Sequence, residues 1–348
     1  MGDTGQELLA AAQIIIALKS HKRSKVVELL RRGALPATGA AIEAWVHRLE
    51  HLSALGTATL TFHQTRFPTL LREIPDPPLV LHVQGQLGSL EQRAVAIVGS
   101  RRASANGVLM ARECACALAR HGVVVVSGLA SGIDAAAHEG ALEAGGTTVG
   151  VLGSGLDRIY PSHHRSLAKR IVDSGGALVS EYSPETTAQK HFFPERNRII
   201  SGLSEAVLVV EASLRSGSLI TARMALEQGR DVFAVPGSVF ADNSRGCHRL
   251  IREGAALVDC VETLLDELHI PDAGPPQTAT SQTKGTTQGT TKGTTLLGAL
   301  SEVTPQSPEE LAGKLSCSMQ EILLGLLDLE ARGIVVLSDG GYIRLPPA

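Results

Sequence analysis

Through the middle of the chain, short unbroken apolar runs alternate with longer stretches of helical periodicity. Ala94–Val98 and Val123–Val126 are two such runs, both rich in β-branched residues. Between them Asn106–Arg120 carries Val108, Ala111, Ala115, Leu118 and Ala119 at helical spacing, and His121-Gly122 ends it. Runs of this kind suit strands buried on both faces, as in a parallel sheet. Strand, helix and strand at this length predict a right-handed βαβ unit. The runs continue as Thr147–Leu152, Ala177–Glu181, Ala206–Glu211, Asp231–Val235 and Ala256–Asp259. Helical segments separate them, among them Asp134–Glu143, Ser162–Asp173 and Thr221–Gln228. The alternation predicts an α/β domain with a doubly wound sheet and helices on both faces.

The flanks have other patterns. Residues 1 to about 65 read as helices over Gln6–Lys19, Ser24–Arg32 and Gly39–Leu55, with Trp45 as a core residue. Phe67-Pro68 and the cluster Pro75, Pro77 and Pro78 enforce an extended connector, and Leu79–Val83 is expected as an edge strand. Residues 271–293 repeat Lys-Gly-Thr-Thr-like units, the composition of a flexible linker. After it, Thr294–Glu302, Pro308–Leu315 and Ser318–Arg332 read as helices. Ile334–Leu337 and Tyr342–Leu345 flank Ser-Asp-Gly-Gly, a hairpin signal. Three helices and a hairpin describe a winged helix. The expected domains are therefore 1–65, 66–270 and 294–348, with 271–293 as linker.

Most of the central strands run into small or polar clusters. Gly99-Ser100-Arg101 follows the first and Ser127-Gly128 the second; Gly153-Ser154-Gly155, Ser213–Ser218 and Pro236-Gly237 follow others. Open α/β sheets bind ligands at the carboxyl ends of their strands. Glycine admits a ligand to the backbone, the next helix offers free N–H groups, and Arg101 adds a fork that matches phosphate oxygens. The first turn is not Gly-x-Gly-x-x-Gly, and the second strand ends in Ser127 where a dinucleotide site would place a carboxylate. Asp134 and His138 lie one helical turn apart and His163-His164 follow Tyr160-Pro161, without a third ligand or a nucleophile, which favours capping and packing roles. The densest chemistry is Lys190–Ser201, where Lys190, Arg196 and Arg198 stand beside Phe192 and Phe193. Cations interleaved with aromatics can hold a phosphate backbone and stack its bases. The same stretch can be a helix start with Pro194 near its first turn, buried phenylalanines, and arginines paired to Glu195 and Glu205. With Arg101 and the glycine-rich rim, the first arrangement points to a phosphate-containing ligand.

Composition narrows the picture. Hydrophobic residues make up 43% of the 348 and aromatics only 3%. A net charge of −3 gives no global nucleic-acid signal, so phosphate binding has to come from a local patch. Residues 294–348 carry three cations against seven carboxylates, a net −4 that argues against groove reading by the winged helix. The five cysteines form no Cys-x-x-Cys motif, so neither a disulfide framework nor a zinc site is expected, and a reducing cytosol suits them. Ile14–Leu18 is too short to span a membrane, and no signal-peptide pattern precedes it.

Several motifs recur together in one family. They are Phe67-Pro-Thr-Leu-Leu with Pro77-Pro78, Val95-Ala-Ile-Val-Gly-Ser-Arg, Val126-Ser-Gly-Leu-Ala-Ser-Gly-Ile-Asp, His138-Glu-Gly-Ala-Leu, Tyr160-Pro, Phe193-Pro-Glu-Arg-Asn-Arg-Ile-Ile-Ser-Gly, Ser216-Gly-Ser-Leu-Ile-Thr-Ala and Val235-Pro-Gly. In this order, over about Phe67 to Asp259, the chain resembles the DNA-processing protein A (DprA/Smf) family. The resemblance implies an extended Rossmann-like, mostly parallel sheet with a SAM-like helical N-terminus and a C-terminal winged helix. It implies a cytoplasmic single-stranded DNA-binding protein without catalysis, metal or cofactor, which protects incoming DNA in natural transformation, helps load RecA recombinase and dimerises through the Rossmann-like domain. It assigns phosphate contacts to Ser100, Arg101 and Lys190 and a base contact to Phe193, with Gly128, Arg196 and Asn197 in the same site. A rival class is a phosphoribohydrolase of the lysine-decarboxylase-like family, whose motif is Pro-Gly-Gly-x-Gly-Thr-x-x-Glu. Aligning its threonine on Thr221 puts Met224 where the catalytic glutamate belongs. A pure interaction scaffold is a third class.

Overall fold

The computed structural model describes residues 5–20, 23–32, 34–35, 39–270, 296, 300, 306–315, 319–331, 334–338 and 341–344. Two compact units divide the chain, Met1–Gly274 and Pro275–Ala348.

The first unit opens with helices α1 (Gly5–Ser20), α2 (Arg23–Arg31) and α3 (Ala40–Ala54). Leu8, Ala11 and Ile15 of α1, Val26 of α2, and Ile42 and Leu49 of α3 share a core with Leu79 and Val80. Trp45 only borders that core, half-buried, with the Arg48 guanidinium 5.1 Å from its ring centre. The helical run stops before residue 65. Gly56 turns the chain at φ +82°, and the threonine-rich stretch that follows becomes strand β1 (Thr57–Thr61). β1 pairs antiparallel with β2 (Val80–Gly85), from Thr57↔Gln84 to Thr61↔Val80. The strand expected at the edge of the sheet is therefore covered on its outer side.

After the short helix α4 (Thr69–Arg72) the α/β pattern unfolds as read. It runs β3 (Ala94–Val98), α5 (Ala105–Arg120), β4 (Val124–Ser127), α6 (Ile133–Glu143), β5 (Thr148–Val151), α7 (Arg165–Asp173), β6 (Ala177–Ser180) and α8 (Phe192–Gly202). It continues with β7 (Ala206–Val209), α9 (Gly217–Glu227), β8 (Asp231–Ala234), α10 (Arg245–Arg252), β9 (Ala256–Leu257) and α11 (Val261–Glu267). The strand order is β1-β2-β6-β5-β4-β3-β7-β8-β9. Neighbours from β6 to β9 are parallel; β1 and β2 are antiparallel additions. Both faces of the sheet are buried, which explains the unbroken apolar runs. Ala94, Ala96 and Val98 of β3 pack with Ile199 and Ile200 of α8, while Val95 and Ile97 pack with Ala111 and Cys114 of α5. The chain lays strands outward from β3 to β6, then returns to the other side of β3 with β7. That reversal opens a crevice beyond the carboxyl ends of β3 and β7.

The second unit contains helices Pro308–Leu315 and Met319–Ala331 and an antiparallel hairpin of Val335–Ser338 and Gly341–Arg344. Ser307 and Glu310 form a reciprocal capping box: each backbone N–H bonds the other's side chain at 3.2 Å. Leu311, Ile322, Leu326 and Val335 build its core, which also buries Leu296 and Leu300. The rest of the expected helix Thr294–Glu302 and the linker 271–293 lie outside the described residues. Helices followed by a hairpin are the order of a winged helix.

Candidate functional site

A cleft of about 590 Å³ lies at the switch point. Val98, Gly99 and Arg101 after β3 supply one wall, and Ser216, Gly217, Ser218 and Thr221 after β7 another. Lys190 just before α8 and Phe193, Arg196 and Asn197 in its first half close it, and Tyr160 also lines it. Five of the seven residues expected at the site thus share one cavity. Ser100 and Gly128 are not among its lining residues. The Ser100 hydroxyl accepts from the Arg102 N–H at 3.1 Å, and its carbonyl accepts from the Ile133 N–H at 3.1 Å, so Ser100 shapes the turn.

Gly128 and Gly132 let the β4–α6 connection close. A Cβ on Gly128 would lie 2.5 Å from Arg196 Nη1 and 2.7 Å from Asp134 Oδ2. Gly132 holds φ +81° directly before α6, and a Cβ there would strike the Ser100 carbonyl.

The cations of the site differ in what they are free to do. Arg101 and Lys190 are exposed and form no ion pair among the described residues. The Arg101 guanidinium lies 5.0 Å from the centre of the Phe193 ring, a cation–π contact that leaves its fork open. Arg196 is only 4% exposed. Its Nη1 donates to the Gly128 carbonyl at 2.7 Å and, at shorter range, to that of Val151. Burial lowers its pKa to about 10, opposed by the neighbouring Asp134. Asp134 in turn accepts from the N–H groups of Gly128 and Ala130 at 3.1 and 3.4 Å. Burial pushes this carboxyl up, against the pull of Arg196 and those two donors. Asn197 donates to the Gly217 carbonyl at 3.2 Å, which pins α8 to the start of α9. Arg198 departs from the expected pairing with Glu195 and Glu205. It forks onto Glu181 at 2.6 and 2.7 Å and reaches Asp76 at 3.0 Å, while Arg93 takes Glu205. Of the arrangement with a helix start, buried phenylalanines and paired arginines, the helix start is present with Pro194 in its first turn, but Phe192 and Phe193 are half-buried and the arginines find other partners. The first turn of the helix faces the cleft, and its second half is core.

The aromatics form two ring pairs. Phe193 is half-buried and tilts 49° against Tyr160 at 5.4 Å. Phe192 stacks on Tyr182 at 4.0 Å and 29°. Tyr160 is 50% exposed and was not among the expected site residues. The signal available was a tyrosine before a proline in a chain with only three tyrosines. Ser216, Ser218 and Thr221 were legible as a polar turn and as part of the motif Ser216-Gly-Ser-Leu-Ile-Thr-Ala, but were not among the expected site residues. Ser216 caps α9, accepting from the Ser218 N–H at 3.3 Å, and α9 presents its N-terminal N–H groups to the cleft.

His138 and His164 have structural partners. His138 is buried with Nδ1 2.7 Å from the Thr148 hydroxyl, and His164 Nδ1 meets the Leu129 carbonyl at 2.8 Å. Among the described residues, no group of three or more His, Cys, Asp or Glu is placed to hold a metal ion.

An open, mostly parallel α/β sheet with exposed cations and aromatic rings at its switch point is a Rossmann-type architecture whose cleft suits a phosphate-bearing ligand. The chain belongs to the family of DNA recombination-mediator protein A, whose model matches residues 58–269. It is 42% identical over 284 residues to Protein Smf of Escherichia coli, covering 80% of this chain and 75% of that protein. It is 46% identical over 201 residues to the DNA processing protein DprA of Streptococcus pneumoniae, covering 58% and 71%. The X-ray structure of the Streptococcus pneumoniae protein superposes with a TM-score of 0.60 at 35% identity, over 77% of this chain and 99% of that one. The Helicobacter pylori protein, solved for its single-stranded DNA binding mode, superposes with a TM-score of 0.56 at 30% identity, over 61% and 95%.

Proposed function

We infer that this protein binds single-stranded DNA at the β3/β7 cleft, protects it during natural transformation and helps load RecA recombinase onto it. The observation that carries this is the placement of Arg101 and Lys190, exposed and without an ion pair among the described residues, in one cleft with the Phe193 ring. Such a site grips a phosphate backbone and stacks any base, so it is tolerant of sequence. Arg101 and Lys190 take phosphates, and Phe193 with Tyr160 takes a base. Arg196 and Asn197 fix the helix that carries Phe193, and Ser100 and Gly128 shape the wall behind it. The site is a binding site and not a catalytic one. Thr221 lines the cleft, but Met224 faces a separate one beside Tyr182 and Arg198, so α9 brings no carboxylate to the ligand. Asp134, the acid in the cleft, is occupied by two N–H donors. The working unit is a homodimer through the Rossmann-like domain, acting in the cytoplasm. Leu226 and Leu257, both exposed on the β8–β9 side of the sheet, support self-association there.

The test is binding of oligothymidylate and of duplex across a range of salt. Single strands bind more tightly, and log affinity falls linearly with log salt by about 0.7 per phosphate contact. Arg101→Ala and Lys190→Ala each weaken binding and reduce that slope by roughly one contact. Equal affinity for single strand and duplex would sink the reading.

A further inference from the structure

Among the described residues, the most exposed large apolar side chains stand together on one loop. Phe240 is 96% exposed and Val239 72%. They occupy the two corners of a turn closed by the Ala241 N–H on the Ser238 carbonyl at 3.1 Å. The Phe240 ring makes no ring contact among the described residues, and nothing in the folding of the first unit calls for it. The loop is held firmly all the same. Gly237 and His248 are bonded at 3.0 Å. Asn243, three residues beyond Phe240, donates its side-chain amide to the Arg102 carbonyl at 2.9 Å and its carbonyl accepts from the Ala212 N–H at 2.6 Å. The turn after β3, the turn after β7 and the loop after β8 are therefore laced into one rim at the carboxyl edge of the sheet. The cleft opens at the first two of these, and Phe240 stands on the third.

The rim between them is cationic. Arg102 and Arg215 are exposed and form no ion pair among the described residues. Of the nearby carboxylates, Asp242 pairs with Arg245 at 3.5 Å, and Glu211 accepts from the Ser104 N–H and from Asn243. Glu113, on the α5 side of the loop, is left as the outlying acid. A strand leaving the cleft toward β8 passes two open guanidinium groups and meets an aromatic face with nothing stacked on it.

We propose that Phe240, with Val239 beside it, is a second base-stacking point for single-stranded DNA running from the cleft across the β7–β8 rim. The proposal rests on the cleft binding single-stranded DNA, and it extends that site to nucleotides beyond those held by Arg101, Lys190 and Phe193. The ligand group recognised is a nucleobase of any kind, because a phenyl face stacks on all of them.

The experiment compares the full chain with Phe240→Ala and Phe240→Trp, using oligothymidylates of about six and about twenty nucleotides, lengths that bracket one compact single-strand site. Phe240→Ala is expected to leave the short oligonucleotide unaffected and to weaken the long one roughly five- to a hundredfold with an unchanged salt slope, since stacking releases no counterions. Its melting temperature stays at the wild-type value because the ring is outside the core. Emission added by Phe240→Trp is quenched by the long strand and not by the short one. Arg101→Ala, as control, weakens both lengths. An unchanged affinity of Phe240→Ala for the long strand, or an equal loss at both lengths, would overturn the proposal and leave the cleft reading intact. A lower molecular mass for Phe240→Ala would also overturn it, because the ring would then be a subunit contact. Failure of the wild-type chain to bind either length would remove the cleft reading and this one together.

Discussion

Two arginines that line the same cleft as Phe193 show how burial assigns roles. Arg101 stands in solvent over Phe193 and can change partners, whereas Arg196 is enclosed and its Nη1 is committed to the Gly128 and Val151 carbonyls at the β4 and β5 ends. Burial governs two histidines in the same way. Thr148 Oγ donates to the Val125 carbonyl at 2.6 Å, so its lone pair accepts from His138 Nδ1–H, and Nε2 is left unprotonated with no partner. Burial lowers the pKa of His138 to about 3, with the His164 and Arg196 charges adding to it. Burial, then Arg48, lowers that of His82 to about 4. Both values lie below the unfolded one of about 6.5, so between roughly pH 4 and 6.5 the unfolded chain binds more protons than the folded one. Stability is full above that window and is lost as pH falls through it, by about 2 kcal/mol per histidine at pH 5. Urea unfolding at pH 7.5 and pH 5 measures the loss, and His82→Gln should remove its share of the slope. An equal unfolding free energy at the two pH values would contradict the assignment.

At the scale of elements, α8 is the part that function and folding share. Its inner face, Ile199 and Ile200, is core, and Arg198 ties its middle to Glu181 and Asp76. Its first turn is gripped between two tyrosines, Tyr182 stacked on Phe192 and Tyr160 against Phe193. Phe193 is half-buried, so Phe193→Ala should cost less stability than the ~3–5 kcal/mol of a fully buried phenylalanine. It should weaken single-strand binding by about 1–3 kcal/mol with the salt slope unchanged. Melting temperature and salt-dependent affinity on the same variant separate these effects. A sharp fall in melting temperature, with normal binding by the folded fraction, would make Phe193 a core residue and remove it from the ligand site.

The whole chain joins the β3/β7 cleft to an acidic winged helix. From residue 294 onward it carries a net −4, and the helix Met319–Ala331 contains no lysine or arginine, so it repels phosphate where a groove-reading helix would attract it. Deleting 271–348 should therefore leave most single-strand affinity in place. A loss of tenfold or more, about 1.4 kcal/mol, measured under the same salt, would give the C-terminal unit a direct part in holding the strand.

What the amino-acid order determined by itself is whatever short-range physics writes locally. The apolar runs that became β3 to β8 are legible because a strand buried on both faces has no polar positions to interrupt it. The Ser-Asp-Gly-Gly hairpin signal and the turn after β3 are legible because few residues suit those backbones. The motif set, read together, identified the family and brought Arg101, Lys190 and Phe193 into one candidate site. Tertiary structure decided everything that depends on a partner far along the chain. Thr57–Thr61 is a strand because β2 offers it a free edge, and that same pairing covers β2, which local sequence had placed at the margin. Arg101, Arg196 and Arg198 look alike in sequence. They diverge because one meets solvent, one meets the carbonyl ends of β4 and β5, and one meets Glu181 and Asp76. The exposure of Phe240 likewise follows from how three loops bond to one another. Periodicity reports which way a residue faces along its own element; desolvation and pairing are set by what folds against it.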